Sequence, residues 1–320
     1  MKAALVRQPG DESALRYEDV PDPECGERQV VIAVKAASIN RGDLSRRQGT
    51  YGEGQTYPLI IGWDVAGVVE SVGAGVSERK PGDRVVAIVP QGGYAEKVAS
   101  LVEGTVTLPA NVSFEAAAAL PVVYLTAWYA LVVRCRLQKG ETALVQAGAS
   151  GVGMAGIQIA KLFGAQVIAT AGGPEKVAFV REMGADHAID YQRQDFLEEV
   201  RRITKGAGVN VVLESVGGDT LVKSVEALAF AGRLATVGNT VRQPAPLDAS
   251  VLLAKAVSLF GLQMASDPLG LPAVLAELVD RVAKGELRPV IDRTFPLSEA
   301  AEAHRYVAQR KNRGKVLLIP

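Results

Sequence analysis

A glycine-rich run near the middle of the chain has the residue types and the spacing to hold a phosphate group. The apolar segment Thr142–Gln146 predicts a strand, the run Gly148-Ala149-Ser150-Gly151-Val152-Gly153 follows it, and a helix is predicted from Val152 to Phe163. Glycines permit a tight turn, and the free N–H groups at a helix start bind phosphate oxygens. Ser150 departs from the spacing GxGxxG, so a purely structural turn is the alternative. The position between a strand and a helix favours dinucleotide binding.

The end of the next predicted strand bears on which dinucleotide binds. A site for NAD commonly has an Asp or Glu about 20 residues further on, bonded to the ribose 2′-hydroxyl. Here the strand Gln166–Thr170 runs into Ala171-Gly172-Gly173 and carries no acid at that point. A carboxylate would repel a 2′-phosphate, so its absence, with Lys176 nearby, favours NADP(H). The alternative for Lys176 is a solvent-exposed helix residue.

Alternating strands and helices must position this turn. From Glu141 to about Ala265, short apolar strands alternate with helical stretches, including a strand at His187–Asp190, a helix from Thr220 to Ala229 and a strand at Arg233–Val237. Such alternation is typical of a parallel sheet with helices on both faces. We therefore predict an α/β fold with a doubly wound Rossmann domain over residues 123–263.

The first part of the chain predicts a β-rich domain instead. Val30–Ala36, Asp64–Gly73 and Arg84–Val89 are short apolar segments separated by glycine and proline, which indicates barrel character. The pattern changes near Ser113, a predicted N-cap before an alanine-rich helix. The tail that ends in the strand Lys315–Ile319 is too short to fold alone. We expect residues 1–122 and 264–320 to form one discontinuous domain.

The composition excludes several classes of protein and partner. The chain has 320 residues, 48% of them hydrophobic, and Lys plus Arg equal Asp plus Glu at 35 each. A binder of nucleic acid or of a membrane surface usually carries a basic excess, so we expect neither partner. Cys25 and Cys135 form no CxxC pair, which argues against a structural zinc site. No apolar stretch of about 20 residues is free of charge. We expect a cytoplasmic enzyme with a small-molecule substrate.

Motifs along nearly the whole chain carry a family resemblance. These motifs are the glycine turn together with Ala37–Asp43, Gln48–Tyr51, Ile61–Gly67, Pro81–Val85, Gly92–Glu96, Leu125–Trp128, Ile189–Tyr191, Val237–Asn239 and Arg313–Val316. With these motifs the sequence resembles the zinc-independent quinone oxidoreductases (zeta-crystallin-like) of the medium-chain dehydrogenase/reductase superfamily, and their order and spacing are specific to that group.

The resemblance implies a fold, a cofactor and a set of binding residues. The β-rich domain would be GroES-like and catalytic, and the cofactor would be NADP(H). Residues that match the family's cofactor site are Asn40, Thr126, Gly148, Ser150, Gly151, Val152, Gly153, Gly172, Gly173, Lys176, Tyr191, Val216, Gly238, Asn239, Gly314 and Lys315. Three of these residues have structural alternatives: Tyr191 as a strand-end aromatic, Lys315 as a surface residue and Asn40 as a turn former.

Zinc enzymes of the same superfamily look similar but differ at the metal. Their first ligand cysteine matches Asn40, and their ligand histidine matches Trp63, with Asp64 in place of a glutamate. Asparagine and tryptophan are poor zinc ligands in these roles. We therefore predict a metal-free enzyme.

Without a metal, hydrogen-bond donors must stabilise the negative charge that an acceptor oxygen gains when hydride arrives. Tyr51 is the first candidate catalytic residue, because it matches a tyrosine of related enoyl-thioester reductases and a phenol is protonated at neutral pH. The amide of Asn40 is the second candidate. The alternative for Tyr51 is a packing role without chemistry. Arg41, Arg46 and Arg47 are interpreted as a solvated basic stretch rather than an entrance to the site.

These observations predict an NADPH-dependent reductase of quinones or related conjugated carbonyls. An enoyl-thioester or alkenal reductase on the same fold is one alternative, although Asn40-Arg41-Gly42-Asp43 lacks the proline and serine that those enzymes often carry. An NADPH-binding sensor or structural protein without turnover is another. The apolar run Ala256–Leu262 predicts an edge strand, and pairing of two such edges, which the resemblance also implies, predicts a homodimer.

Overall fold

The computed structural model describes residues 1–52, 54–263 and 270–320. The chain divides into two compact units, one containing Met1–Val123 and Leu269–Pro320 and the other Tyr124–Pro268. The predicted domain boundary at residues 263 and 264 falls at the edge of a segment outside the described residues. The expected end of the alternating pattern near Ala265 lies within that segment.

The strands and helices are numbered along the chain. The strands are β1 (Lys2–Val6), β2 (Leu15–Asp19), β3 (Gln29–Ser38), β4 (Leu59–Ile60), β5 (Asp64–Val72), β6 (Arg84–Ile88), β7 (Lys97–Leu101), β8 (Thr105–Thr107), β9 (Thr142–Val145), β10 (Gln166–Ala171), β11 (His187–Asp190), β12 (Val209–Glu214), β13 (Leu228–Thr236), β14 (Ser258–Gly261), β15 (Ile291–Pro296) and β16 (Lys315–Ile319). The helices are α1 (Arg41–Arg47), α2 (Phe114–Ala118), α3 (Pro121–Trp128), α4 (Gly151–Leu162), α5 (Pro174–Glu182), α6 (Phe196–Ile203), α7 (Gly218–Glu226), α8 (Ala249–Lys255), α9 (Leu271–Ala283) and α10 (Ala300–Ala308). Within the part of the chain that the structure describes, no helix is long and apolar enough to span a bilayer.

The unit Tyr124–Pro268 is built on a parallel sheet. Its strands lie in the order β11-β10-β9-β12-β13-β14, and every neighbouring pair is parallel. The chain moves outward from β9 to β11 and then returns to the other side of β9, so the strand order reverses there. Ligands of such sheets bind beside the carboxyl ends of the strands at this reversal. The predicted doubly wound α/β fold is confirmed.

The other unit is rich in antiparallel strands. One sheet has the order β15-β16-β3-β5-β6-β8 with β7 also paired to β3, and a smaller sheet has the order β2-β1-β4. Ile32, Val65, Val85 and Leu318 contribute to a buried core between these strands. Strand β16 pairs with β3, so the C-terminal segment lies in the same unit as the N-terminal one.

The predicted helix from Thr220 to Ala229 is too long, and this detail of the prediction is wrong. Helix α7 ends at Glu226, and β13 begins two residues later. Leu228 pairs with Val209 at the end of the sheet, and the ladder then shifts before Val211 meets Arg233. Sheet pairing therefore overrides the helical pattern at these positions.

The alanine-rich helix after Ser113 begins as predicted, and α2 ends at Ala118. The Ser113 hydroxyl accepts a hydrogen bond from the backbone N–H of Ala116 at 3.1 Å, which caps α2. A second helix, α3, starts at Pro121. Proline has no N–H to donate, so it suits the first turn of a new helix better than the interior of an old one.

Candidate active site

The glycine run forms the turn between β9 and α4, as predicted. Ser150 is the N-cap of α4, and its hydroxyl accepts a hydrogen bond from the backbone N–H of Gly153 at 3.0 Å. The serine that breaks the GxGxxG spacing thus supplies a helix cap. A side chain at Gly153 would clash with the carbonyl oxygen of Ala147, so the two ends of the turn lie against each other. Only glycine permits this approach, which leaves the helix start open to a phosphate.

Buried side chains that the motif search did not single out hold this turn in place. The Thr170 hydroxyl accepts a hydrogen bond from the backbone N–H of Ala147 at 3.1 Å and donates one to Gln146 Oε1 at 2.7 Å. Gln146 Nε2 in turn donates to the Ser224 hydroxyl at 2.9 Å. Ala147 has a φ of +50°, a conformation in which a non-glycine residue needs such support. The sequence signal that could have identified these supporting residues is a polar residue at the end of an apolar strand, as at Gln146 and Thr170.

The loop after β10 brings together three of the predicted cofactor residues, Gly172, Gly173 and Tyr191. Gly173 has a φ of +82° and precedes α5, which contains Lys176. A side chain at Gly172 would come within 2.6 Å of the Tyr191 hydroxyl, so the half-exposed tyrosine lies over that glycine. Asp190 Oδ1 accepts hydrogen bonds from the N–H groups of Gly173 at 2.9 Å and Gln192 at 3.1 Å. The bond from Gly173, followed by that from Gln192, lowers the pKa of Asp190.

The ends of β12 and β13 bring another predicted group together. A side chain at Gly217 would clash with Asn239, and one at Gly238 would meet the Ser215 carbonyl oxygen at 3.3 Å. Val216 accepts a hydrogen bond from the backbone N–H of Val241 at 3.0 Å. Val216, Gly238 and Asn239 therefore line adjacent strand ends. Thr126, which the resemblance also placed at the cofactor, lies buried in α3, and no hydrogen bond of the described residues joins it to the glycine turn.

In the β-rich unit, Asn40 lies between two buried charges. Its Nδ2 donates to Asp64 Oδ2 at 2.8 Å, and its Oδ1 accepts from the Lys315 ammonium at 2.7 Å. Lys315 Nζ lies 3.6 Å from Asp64 Oδ2 and is 2% exposed, so the alternative of a surface lysine is wrong. Gly314, with a φ of +83°, precedes this lysine. Asn40 also caps α1, but its role as a turn former does not account for these contacts.

Tyr51 and Trp63 form an aromatic pair over the start of α1. Their ring centroids are 5.2 Å apart at an interplanar angle of 55°, and the guanidinium of Arg46 lies 5.5 Å from the Trp63 ring centroid. A side chain at Gly42, two residues after Asn40, would clash with the Trp63 ring. Glycine in the Asn-Arg-Gly-Asp sequence therefore lets the indole pack on the helix. Tyr51 is 43% exposed, and Trp63 is half-buried.

A second buried polar chain starts at Asp43. Its Oδ2 accepts hydrogen bonds from the backbone N–H of Asn40 at 2.8 Å and from the Tyr94 hydroxyl at 3.2 Å. The Tyr94 hydroxyl also contacts His304 Nε2 at 3.1 Å, and His304 Nδ1 contacts Arg47 Nη1 at 3.3 Å. Burial raises the pKa of Asp43 to about 7, opposed by the bond from Asn40 and assisted by the charge of Asp64.

Arg47 corrects the interpretation of the basic stretch. It is fully buried and pairs with Glu12 at 3.1 Å, so Arg41-to-Arg47 is not a uniformly solvated surface. Arg46 stays partly exposed beside Trp63, whereas Arg47 is enclosed by residues from other elements. Sequence spacing could not separate the two, because the partners of Arg47 are distant in the chain.

The residues around Asn40 do not fit a zinc ion. Both heteroatoms of the Asn40 amide are already bonded, and an indole offers no ligand at Trp63. An ammonium 3.6 Å from Asp64 would repel a divalent cation placed there. Among the described residues, no three His, Cys, Asp or Glu side chains are grouped to hold a metal. The cradle at Gly153, in contrast, fits a dinucleotide phosphate.

Each unit therefore offers one chemical capability. The glycine turn and the adjacent strand ends of one unit can hold a dinucleotide. The other unit contains an amide donor, fixed between charges, and a pair of aromatic rings over the helix that Asn40 precedes. Such a donor can stabilise negative charge on a substrate oxygen.

Comparison with known proteins finds similar proteins for both parts of the chain. A family model described as alcohol dehydrogenase GroES-like domain matches residues 26–113, and one described as zinc-binding dehydrogenase matches residues 151–284. A quinone oxidoreductase of Pseudomonas aeruginosa is 36% identical over 317 residues, which span 97% of both chains. The Escherichia coli quinone oxidoreductase complexed with NADPH superposes with a TM-score of 0.93 at 29% identity and full coverage of both chains. The CurK enoyl reductase superposes with a TM-score of 0.89 at 30% identity over 99% of both chains.

Proposed function

The chain belongs to the medium-chain dehydrogenase/reductase superfamily of oxidoreductases, and we propose that it transfers a hydride from NADPH to a quinone or a related conjugated carbonyl. The observation that carries this proposal is the Asn40 amide, which is held by Asp64 and Lys315 in the unit that also contains the Tyr51–Trp63 pair. A hydrogen-bond donor and aromatic rings together suit a flat, electron-poor acceptor whose oxygen gains charge during reduction.

The residues of the chain would bind and orient, while bound NADPH supplies the hydride. The open N–H groups at the start of α4 would hold the pyrophosphate, with Gly151, Val152 and Gly153 beneath it. Gly172, Gly173, Lys176 and Tyr191 would hold the 2′-phosphate. The Asn40 amide and the Tyr51 hydroxyl would donate to the acceptor oxygen. Protonation of the reduced acceptor by water completes the reaction.

Selectivity for NADPH over NADH can be tested on Lys176. We expect wild-type protein to bind NADPH more tightly than NADH in a fluorescence titration. Removing the ammonium with Lys176→Ala should weaken the binding of NADPH and leave the binding of NADH unchanged, because only NADPH carries the 2′-phosphate. Equal losses for both cofactors would contradict this assignment.

The acceptor class can be tested with a panel of oxidants. NADPH oxidation is measured with benzoquinone, naphthoquinone, an enone and crotonyl thioesters, using wild type, Asn40→Ala and Tyr51→Phe. We expect quinones to give the largest kcat/KM. Loss of one donor in such a site costs about 100-fold or more in kcat. If both variants keep the wild-type kcat/KM, the donor roles are wrong.

Enoyl-thioester reduction is the second candidate, favoured by the similarity to the CurK enoyl reductase. This second function would be supported if crotonyl thioesters were reduced with a higher kcat/KM than the quinones of the same panel. A role as a sensor or structural protein would be supported by tight NADPH binding without oxidation by any acceptor of the panel.

We also propose a homodimer formed through β14. This strand is the edge of the parallel sheet, and among the described strands only β13 pairs with it. An apolar edge is protected when a second copy pairs with it about a twofold axis. Sedimentation equilibrium at micromolar concentration should give twice the monomer mass. Leu259→Pro removes a backbone donor that points away from β13, because the N–H of Leu262 donates to Thr236 in β13 and N–H direction alternates along the strand. This variant should shift the protein toward monomer, whereas a wild-type protein that is monomeric would contradict the proposal.

A further inference from the structure

The Lys315 ammonium makes three buried polar contacts within the β-rich unit, all of them close to Asn40. It donates to Asn40 Oδ1 at 2.7 Å and to the Ile39 carbonyl oxygen at 3.0 Å, and it lies 3.6 Å from Asp64 Oδ2. A lysine has three N–H donors, so each of them faces an oxygen here. The two hydrogen bonds and the nearby Asp64 favour the charged ammonium, whereas burial lowers the pKa of Lys315.

Asp64 binds the opposite side of the Asn40 amide, at Nδ2, and its oxygens accept further hydrogen bonds. Its Oδ2 accepts from the Ser38 hydroxyl and from Asn40 Nδ2, both at 2.8 Å, and its Oδ1 accepts from the Val122 N–H at 3.1 Å. Burial raises the pKa of Asp64, and the charge of Lys315 and the three donors oppose that shift and favour the ionised form. The Asn40 amide therefore bridges a buried cation and a buried anion.

These charges allow the Asn40 amide only one orientation. Turning the amide over would set its oxygen against the carboxylate and its NH₂ against the ammonium, which costs both charge-assisted hydrogen bonds. The NH₂ group has two hydrogens, and Asp64 takes one. No described residue accepts the second hydrogen from Nδ2, and Asn40 as a whole is 5% exposed.

We propose that Lys315 is a positioning residue that fixes and polarises the Asn40 amide, so that the second Nδ2 hydrogen becomes a strong donor to the acceptor oxygen. A cation at Oδ1 draws electron density from the amide nitrogen and strengthens its remaining N–H as a donor. The family resemblance implies that Lys315 closes over the cofactor, whereas its burial against Asn40 gives it a different role. This inference rests on the proposed reductase function. In that reaction the hydride carries two electrons to the acceptor, one acceptor oxygen gains negative charge, and water supplies the proton.

A double-mutant cycle tests whether Lys315 acts through Asn40. The variants are Lys315→Met, Asn40→Ala and both together, measured with the best quinone of the panel. We expect Lys315→Met to lower kcat about tenfold or more, within the range for weakened donors. Once Asn40 is alanine, we expect Lys315→Met to lower kcat no further. We also expect the NADPH dissociation constant of Lys315→Met to stay within about twofold of wild type.

The proposal would be overturned if the effects of the two substitutions on kcat multiplied in the double variant. A weaker NADPH affinity with unchanged kcat would also overturn it, because that result assigns Lys315 to the cofactor.

Loss of the ammonium alone leaves Asp64 buried without its cation and could prevent folding. The charge-matched variant Lys315→Met/Asp64→Asn removes both charges and keeps the test available. We expect it to fold and to show the lowered kcat. Wild-type kcat in this folded variant would overturn the proposal.

A spectroscopic measurement separates this inference from the proposed function. With ¹⁵N-asparagine labelling, the Asn40 side-chain amide is identified by its absence in Asn40→Ala. If Lys315 polarises the amide, this resonance shifts in Lys315→Met and in the charge-matched variant, whichever acceptor the enzyme reduces. If it does not move, the inference fails even where quinone reduction is established. If wild-type protein reduces no acceptor, the proposed function fails and the resonance still decides the polarisation.

Discussion

His304 accepts a hydrogen bond at Nδ1 from the guanidinium of Arg47, with 3.3 Å between the nitrogens. A guanidinium can only donate, so the proton of the neutral imidazole is on Nε2 and points to the Tyr94 hydroxyl. Tyr94 then donates to Asp43, whose other contact is the backbone N–H of Asn40. A buried chain of donors thus ends at the residue that carries the proposed catalytic amide.

His304 should make the protein sensitive to acid. Burial, and secondarily the charge of Arg47, lowers its pKa to about 3, against about 6.5 in the unfolded chain. Its contribution to stability is therefore complete above pH 6.5 and is lost as the pH falls toward 3. His304→Gln supplies one amide acceptor and one amide donor in place of the two ring nitrogens and does not titrate. Urea unfolding of both proteins from pH 7 to pH 4 should show a steeper loss for wild type, and parallel curves would contradict this.

Asp43 should have the opposite pH dependence. Its pKa is about 7 in the folded protein, mainly because of burial, and about 3.9 when unfolded. Its contribution is complete below pH 3.9 and is lost as the pH rises through about 7, since the folded state holds the proton more tightly. Relative to Asp43→Asn, wild type should lose stability between about pH 4 and 7. A constant difference across that range would mean that Asp43 is ionised throughout.

Arg47 should be far more important for stability than its neighbours in α1. Arg47→Leu leaves the partly exposed Glu12 and the buried His304 without this partner, and leaving such groups unsatisfied costs about 1–3 kcal/mol in the free energy of unfolding. Arg41 is exposed and provides the control, so Arg41→Leu should change that free energy by about 0.5 kcal/mol or less. Equal effects in urea unfolding would show that burial of Arg47 contributes nothing.

The glycine turn and the parallel sheet could be predicted from the sequence because their signals are local. A strand, a glycine run and a helix follow one another within about twenty residues, and each element has its own periodicity. The environment of Asn40 could not be predicted this way. Its partner Lys315 is 275 residues away, and His304 is 210 residues from Tyr94. The pairing of β16 with β3 brings Lys315 to Asn40, and the packing of α10 brings His304 to Tyr94.

Arg47 shows the same limit within a single helix. Next to Arg46 it resembles part of a charged surface, because nothing in the local pattern marks which arginine faces the core. The resemblance to a family found Asn40 and Lys315 as positions that matter. It did not give the contact between them, which depends on the fold.

Thr170 should control how well the turn binds the dinucleotide. Thr170→Val removes the hydroxyl that bonds the Ala147 N–H and Gln146, so the left-handed Ala147 loses its support. A loss of about 1.4 kcal/mol corresponds to a tenfold weaker NADPH dissociation constant, which fluorescence titration measures. Thr170→Ser keeps the hydroxyl and should bind like wild type. Equal affinities for the valine and serine variants would show that the hydroxyl is not needed.

Gly153 should not tolerate even a methyl group. An alanine Cβ there would clash with the Ala147 carbonyl oxygen and lie 2.6 Å from Gly148 Cα, and both are backbone atoms of the turn that cannot rotate away. The turn must open, which moves the N–H groups at the start of α4 from their phosphate-binding positions. We expect Gly153→Ala to weaken NADPH binding by about tenfold or more, equivalent to at least about 1.4 kcal/mol.

Gly261 in β14 is the control within the same unit, because a methyl group added there would have no atom within 4 Å. Gly261→Ala should bind NADPH as wild type does. If both alanine variants bind NADPH equally well, the close approach of Ala147 to Gly153 is not what shapes the site. A loss confined to Gly153→Ala, with the variant still folded by circular dichroism, ties cofactor affinity to this one backbone contact.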